Sequence, residues 1–181
     1  MSLKYAILSV VYRENITGYD LLKRFDGTIG FFWKTTYPQI YRELDTLEKE
    51  KWVLGKVEKQ SARPDKKIFS ITPLGTEMLK KWCSEEINFK PESNEFLLKI
   101  FSGELIGGEV VKKHMDDYIK FAHEQITQLN EIKKNYFADE AQSLKGKQAY
   151  NYISLLIGIN TYESEVKMYR SLQEKIGEIP D

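Results

Sequence analysis

The sequence is short of cysteine and of long apolar runs. Cys83 is the only cysteine among 181 residues, which excludes an intrachain disulfide and fits a reducing compartment. No uninterrupted apolar run approaches the roughly 18 residues that a transmembrane helix needs. The N-terminal residues also lack the apolar core and small-residue cleavage site of a signal peptide. We therefore expect a cytoplasmic protein that has no membrane among its partners.

The sequence also has few residues that could form a catalytic or metal-binding site. His114 and His123, the two histidines, are nine positions apart, too far to form one ligand face on a helix. The Gly107-Gly108 pair lacks the preceding strand that a phosphate-binding loop requires. Cys83 fits a small buried hydrophobic residue better than a nucleophile. We therefore predict no enzyme, no metal site and no cofactor.

Charge is balanced over the whole chain but not between its halves. Hydrophobic residues make up 41% of the sequence and charged residues 30%, which is typical of a soluble globular protein. Residues 1–90 contain 16 Lys and Arg against 12 Asp and Glu, whereas residues 91–181 contain 11 against 15. This asymmetry indicates that the N-terminal half meets a polyanion and that the other half has a different task.

The stretch from Thr35 to Leu47 predicts a short amphipathic helix. Pro38 falls in its first turn, where a missing N–H costs nothing. Ile40, Leu44 and Leu47 recur at i, i+4 and i+7 and form one apolar stripe that must face a core. An ordinary surface helix would show the same pattern, so this stretch alone leaves both interpretations open. The remaining positions suit base edges and phosphates in a DNA groove, and include Tyr37, Gln39, Tyr41, Arg42 and Thr46.

The residues around this helix predict a winged helix-turn-helix. A first helix over 3–13 precedes a second that begins with a capping box at Thr17 to Asp20. Phe32 and Trp33 are expected to pack into the core. Beyond the third helix, alternating residues predict two strands, about 53–59 and 67–72, joined by the polar hairpin loop 60–66. Thr72-Pro73 then starts a fourth helix.

The second half predicts a helical domain. Residues 84–94 form a linker, so the predicted domains are 1–85 and 93–181. A short helix at 95–101 is followed by two long helices of about 30 residues, separated at 138–146. Their apolar seams suit antiparallel coiled-coil packing within the chain and also between two copies. We expect a homodimer, because a helix-turn-helix usually reads half-sites in pairs. The predicted fold class is mainly α with a small two-stranded β-wing.

Several motifs in residues 1–85 together resemble the PadR family of bacterial transcriptional regulators. The helical remainder is similar in layout to the C-terminal domain of the longer members, which include a virulence activator. The motifs that carry the resemblance are Thr17 to Arg24 (TGYDLLKR), Phe32-Trp33, Tyr37 to Leu44 (YPQIYREL), Arg63-Pro64 and Lys67 to Gly75 (KIFSITPLG).

The resemblance implies a homodimeric winged-helix protein, usually a repressor, that binds double-stranded operator DNA and dimerises through its C-terminal helices. In several members a small aromatic or drug-like effector, such as a phenolic acid, releases the DNA. Carried over to this chain, Tyr37, Gln39 and Arg42 would lie in the major groove. The wing tip would meet the DNA backbone or minor groove through Arg63, Lys66 and Lys67. This chain departs from the family at Ala62, where a glycine usually precedes Arg-Pro.

Further candidate DNA contacts lie at helix starts. Lys34, Thr35 and Thr36 precede the third helix, where N–H groups and hydroxyls often bind phosphate. Simple capping is the other interpretation, and both roles can hold together. Tyr19, near the start of the second helix, could contact phosphate or pack in the core. At the wing tip, Arg63, Lys66 and Lys67 could each neutralise a phosphate, although a solvated loop would have the same composition.

A rival hypothesis needs no DNA. In it, a degenerate winged helix is a protein–protein docking module and the long helices bind the partner. Heparin retention and a steep salt dependence separate the two hypotheses, because only a DNA-binding protein should show both.

Overall fold

In the computed structural model the chain divides into two units, Met1–Asn88 and Phe89–Asp181. The structure describes residues 3–27, 29–30, 32–59, 65–89, 91, 93–139 and 144–177. Within these residues the first unit holds four helices and three strands. The helices are α1 (Leu3–Val11), α2 (Gly18–Asp26), α3 (Tyr37–Lys49) and α4 (Pro73–Ser84), and the strands are β1 (Ile16–Thr17), β2 (Val53–Glu58) and β3 (Lys66–Ile71).

The described strands form an antiparallel sheet in the order β1-β3-β2. The hairpin of β2 and β3 is the predicted wing, with Glu58 opposite Lys66 near its tip. The sequence predicted two strands, and the structure adds a third, in which Ile16 pairs with Phe69. This strand lies directly before α2 and ties the start of that helix to β3 of the wing.

The helices of the first unit enclose one apolar core. Ile7 on α1, Leu21 on α2 and Leu44 on α3 have no exposed surface. Two predictions of burial are wrong. Phe32 is 58% exposed, whereas its neighbour Trp33 packs against the core. Cys83 lies in the last turn of α4 and is exposed.

Predicted caps fix where α2 and α4 begin. The Asp20 N–H donates to Thr17 Oγ1 over 3.1 Å, and the Thr17 hydroxyl donates to the Asp20 carboxylate over 2.7 Å. At α4, the Gly75 N–H donates to Thr72 Oγ1 over 3.0 Å, with Pro73 in the first turn. The bonds from the Asp20 and Gly75 N–H groups each satisfy a backbone donor that would otherwise lack a partner inside the helix.

α3 ends in a Schellman motif whose left-handed residue is not glycine. The Trp52 N–H donates to the Leu47 carbonyl over 2.9 Å, and the Lys51 N–H donates to the Glu48 carbonyl over 3.0 Å. Lys51 has φ +62°, and no other non-glycine residue among those described has a positive φ. This turn directs the chain from α3 straight into the wing.

The second unit is a helical hairpin with a short helical lead. Within the described residues its elements are α5 (Glu95–Phe101), α6 (Gly103–Ile106), α7 (Gly108–Tyr136), a single 3-10 turn (Gly146–Gln148) and α8 (Ala149–Ile176). α7 and α8 are antiparallel. Residues early in each helix contact residues late in the other helix. The Tyr118 hydroxyl donates to Glu165 over 2.6 Å, and Phe137 packs on Tyr152 with ring centroids 5.3 Å apart. The predicted fold class is confirmed. None of the described helices combines the length and apolar composition needed to cross a bilayer.

Candidate nucleic-acid interface

The two faces of α3 have opposite surroundings. Ile40, Leu44 and Leu47 have no exposed surface and pack in the core of the first unit. Gln39 and Arg42 lie on the other face and are exposed. The helix therefore has the orientation that its apolar spacing predicted, with a polar front presented outward.

The start of α3 is held by the side chain of Gln39. The Thr36 backbone N–H donates to Gln39 Oε1 over 3.0 Å, and the Thr36 and Thr35 hydroxyls donate to the same oxygen over 3.1 and 3.3 Å. The structure thus shows the capping role that was the alternative for Thr35 and Thr36. A DNA contact by any of the three residues stays a prediction.

A pair of tyrosines covers the entrance of α3. The rings of Tyr37 and Tyr41 lie 4.4 Å apart between centroids. Tyr41 is half-buried over Gly18, where an added Cβ would come within 2.6 Å of the Tyr41 Cζ and hydroxyl. Burial, and then the hydrogen bond and charge of Tyr37, raise the pKa of Tyr41 to about 12. Tyr41 therefore stays a neutral phenol into the alkaline range.

Tyr19 lies at the start of α2 and is 58% exposed. Core packing was one interpretation of this residue, and it is wrong. Lys23, one turn later, places its Nζ 4.6 Å from the centre of the Tyr19 ring. This cation–π contact holds a cation beside a phenol on the surface. Lys23 carried no signal in the sequence beyond its spacing of four residues from Tyr19.

Both lysines of the predicted wing contacts are already engaged with carboxylates of this chain. Lys66 pairs with Glu58 across the hairpin over 3.2 Å. Lys67 pairs with Glu48 at the end of α3, and its Nζ also lies 5.2 Å from the centre of the Phe69 ring. The same Glu48 carboxylate accepts the Gly55 N–H over 3.3 Å. These lysines therefore help to fix the wing. Arg63, the third predicted wing contact, lies outside the described residues, as does Ala62.

Two cations at the front of α3 have no such partner. Lys34 and Arg42 are exposed, and neither forms an ion pair with a described residue. Lys34 precedes α3, and Arg42 follows Gln39 by three positions, which is nearly one helical turn. Their charges are available to a polyanion, whereas those of the wing lysines are partly neutralised.

No three His, Cys, Asp or Glu side chains among the described residues converge to hold a metal ion. His114 and His123 remain separate on α7, where the Nε2 of His123 lies 3.2 Å from an Arg170 guanidinium nitrogen. The exposed groups at the front of α3 are a lysine, a phenol, an amide and a guanidinium (Lys34, Tyr37, Gln39 and Arg42), and groups of these kinds recognise nucleic acid.

Two family models match the chain, one for each unit. Residues 7–81 match the model described as "Transcriptional regulator PadR-like family". Residues 93–176 match the one described as "Virulence activator alpha C-term". The first match begins within α1, includes the wing and ends in the last turn of α4, and the second contains α5 to α8.

Two relatives that are named as transcriptional regulators also match the chain. The chain is 31% identical to the "Probable transcriptional regulator Rv1176c" of Mycobacterium tuberculosis, with 97% of this chain and 100% of the relative covered. It is 33% identical over 55% of each chain to the "Negative transcriptional regulator PadR" of Bacillus subtilis.

Solved structures of Bacillus subtilis PadR share the fold. The complex with operator DNA has a TM-score of 0.84 at 22% identity and covers 96% of this chain and 98% of its own. The complex with p-coumaric acid has a TM-score of 0.79 at 22% identity, with 97% and 98% covered. Sequence, fold and relatives agree, and the chain belongs to the PadR-like family of transcriptional regulators.

Proposed function

We propose that this regulator binds double-stranded operator DNA as a homodimer and acts as a repressor. The observation that carries the proposal is the orientation of α3, which buries Ile40, Leu44 and Leu47 and exposes Arg42 and Gln39 on its front. A short helix with a fixed apolar back and an outward polar front can enter a major groove.

The two cations on this front have different roles in the proposal: one selects a base and the other adds affinity for the duplex. Arg42 has five donors and no ion-pair partner among the described residues, so it can address a guanine edge bidentately. Lys34, at the start of α3, suits a phosphate and would add affinity without selecting a sequence. Tyr19 and Tyr37 offer further hydroxyl donors to the backbone of the duplex.

Repression and operator DNA as the ligand are proposed from the names of a relative. Bacillus subtilis PadR is named a negative regulator and was solved with operator DNA. These names support a repressor that binds operator DNA, and the exposed front of α3 provides the surface for it.

The DNA-binding proposal is tested with a duplex selected from a random pool. Arg42→Ala should weaken binding by about 1–3 kcal/mol if the guanidinium meets a base, as measured by fluorescence anisotropy. Lys80→Ala, which removes an exposed cation from α4, is the matched control and should leave affinity nearly unchanged. Equal affinity of wild type and Arg42→Ala would contradict the assignment.

Salt dependence separates DNA binding from the protein-docking alternative. For a DNA-binding protein the logarithm of the binding constant falls linearly with the logarithm of salt concentration, with a slope of about −0.9 per neutralised phosphate. We expect this steep fall together with retention on heparin. Absence of both would favour a docking module.

Dimerisation is proposed from the apolar surface of the second unit. Leu98 and Phe101 on α5, and Leu105 on α6, are 63%, 88% and 87% exposed in the single chain. Such a concentration of large apolar side chains marks an interaction surface, and we propose that a second copy covers it. Phe101→Glu should convert dimer to monomer in light scattering and weaken DNA binding. Leu144→Glu, at another exposed apolar position of the same unit, is the control. An unchanged dimer in Phe101→Glu would contradict this surface.

A small aromatic effector is the remaining part of the proposal. Its support is the complex of Bacillus subtilis PadR with p-coumaric acid. Titration of p-coumaric acid into the protein–DNA complex should lower the anisotropy, while cyclohexanecarboxylic acid, which has the charge without the ring aromaticity, should not. A complex unaffected by p-coumaric acid and related phenolic acids would contradict release by this class.

A further inference from the structure

The two ends of the Gln39 amide have different surroundings. The Thr36 backbone N–H donates to one end over 3.0 Å. A backbone N–H can only donate, so the atom it meets must be the amide oxygen rather than the nitrogen. The hydroxyls of Thr36 and Thr35 donate to the same oxygen over 3.1 and 3.3 Å. This contact fixes the orientation of the amide, which is otherwise ambiguous for glutamine.

Three donors saturate an oxygen that has two lone pairs. The nitrogen end of Gln39 forms no hydrogen bond with a described residue, and the residue is exposed at the N-terminal end of α3. Towards a ligand, Gln39 therefore presents N–H donors and no free acceptor. A glutamine that is free to rotate would present both.

This restriction decides which base the side chain can read. Glutamine recognises adenine by a bidentate contact, in which its oxygen accepts from N6 and its nitrogen donates to N7. The occupied oxygen cannot make the first bond, and the outward nitrogen would meet the adenine N6 donor. Guanine presents two acceptors, O6 and N7, on the same edge. We propose that Gln39 is a specificity-determining residue that selects guanine over adenine at the base it faces, which rests on the proposed binding of operator DNA.

The first test uses Gln39→Glu. Glutamate keeps an oxygen for the Thr36 N–H, and it is itself a preferred residue at this position of a capping box, so the start of α3 is retained. It replaces the outward donor by an acceptor. Sequences selected from a random duplex pool by wild type should carry a guanine at one position per half-site that changes to cytosine with the variant, because a carboxylate accepts from cytosine N4. Replacing that guanine by adenine should weaken wild-type binding about fivefold to tenfold, and it should not weaken binding of the variant, whose carboxylate can accept from adenine N6.

A second variant tests the role of the threonines. Thr35→Val with Thr36→Val removes both hydroxyl donors and leaves the backbone N–H in place. The Gln39 oxygen then regains acceptor capacity, so discrimination of guanine against adenine should fall by at least half on the wild-type operator. Thermal unfolding monitored by circular dichroism establishes that each variant is folded.

The outcomes separate this inference from the function on which it rests. If wild type binds no duplex, the proposed function fails and the inference fails with it. If wild type binds, but Gln39→Glu selects the same bases at every position, the proposed function stands and the inference is wrong. The inference is also wrong if wild type selects adenine, and not guanine, at the position where the variant changes the selected base. A guanine that changes to cytosine supports it.

Discussion

The Glu48 carboxylate, in the last turn of α3, joins that helix to both strands of the wing. It forms an ion pair with Lys67 on β3 and accepts the Gly55 N–H of β2 over 3.3 Å. The side chains of Lys67 and Glu48 are 40% and 31% exposed, so solvent weakens their attraction. The pair connects residues that are 19 positions apart, one on α3 and one on β3.

A double-mutant cycle with Glu48→Gln and Lys67→Met should measure this connection. We expect a coupling energy of about 0.5–1 kcal/mol in the free energy of unfolding from urea titrations, at the upper end for a partly exposed pair. Raising the salt concentration should reduce the coupling, because exposed charges are screened. The Lys66→Met variant, which breaks the neighbouring pair with Glu58, is the control and should show no coupling to Glu48→Gln. If Lys67 serves mainly as a phosphate contact, its replacement will lower DNA affinity. The free energy of unfolding will then be unchanged and the coupling energy will be near zero.

The close approach of Gly18 to Tyr41 predicts how Gly18→Ala changes the free energy of unfolding. The sign of this change should depend on which residue occupies position 41. Gly18→Ala puts a Cβ within 2.6 Å of the Tyr41 ring, so α2 and α3 must separate or the ring must move. We expect a loss of about 1–2 kcal/mol in the free energy of unfolding, typical of overpacking. In a Tyr41→Ala background the clash is gone, and alanine favours the helix, so the same substitution should be neutral or stabilising. A similar loss in both backgrounds would show that another contact, and not Tyr41, restricts position 18.

Periodicity was sufficient to predict α3 but not the small strand before α2. Ile40, Leu44 and Leu47 repeat with the period of a helix, so their burial follows from local spacing. Ile16-Thr17 is too short to show any alternation, and its pairing with β3 is non-local. Cys83 also has no pattern of its own, because one residue in the last turn of a helix can face either way.

The interactions of single side chains were harder to predict than the elements. Thr36-Tyr37-Pro38-Gln39 has the Ser/Thr-x-x-Glu/Gln form of a capping box, so the cap of α3 was visible in the sequence. The amphipathic pattern of α3 indicated Gln39 as a base contact instead, and the resemblance to the family implied the same role. The pairing of Glu48 with Lys67 had no such signal, because it depends on how the Schellman turn directs β2 past the end of α3.

The raised pKa of Tyr41 predicts a specific loss of stability at high pH. Burial, followed by the influence of Tyr37, raises the pKa of Tyr41 from 10.0 to about 12 in the folded chain. Between these values the folded state keeps the proton that the unfolded state has lost, so stability is fully present below pH 10.0 and falls as pH rises towards about 12. Tyr41→Phe should reduce this fall without removing it, because Tyr162 and Tyr169 also have raised pKa values through burial. The measurement is urea unfolding at a series of pH values for both proteins. Parallel curves through the whole range would contradict a protonated, half-buried Tyr41.

Lys51 carries backbone strain that a glycine should relieve. Its φ of +62° lies in the left-handed region at the residue that ends α3, where a side chain costs about 1–2 kcal/mol. Lys51→Gly should raise the free energy of unfolding by about 0.5–1 kcal/mol, since part of the relief is lost to the greater freedom of glycine in the unfolded chain. Lys49→Gly is the matched control: the same substitution two positions earlier falls in the last turn of α3 and should cost about 0.5–1 kcal/mol. Chemical unfolding of the two variants should therefore give shifts of opposite sign. Destabilisation in both would mean that the Lys51 side chain makes a compensating contribution that outweighs its backbone conformation.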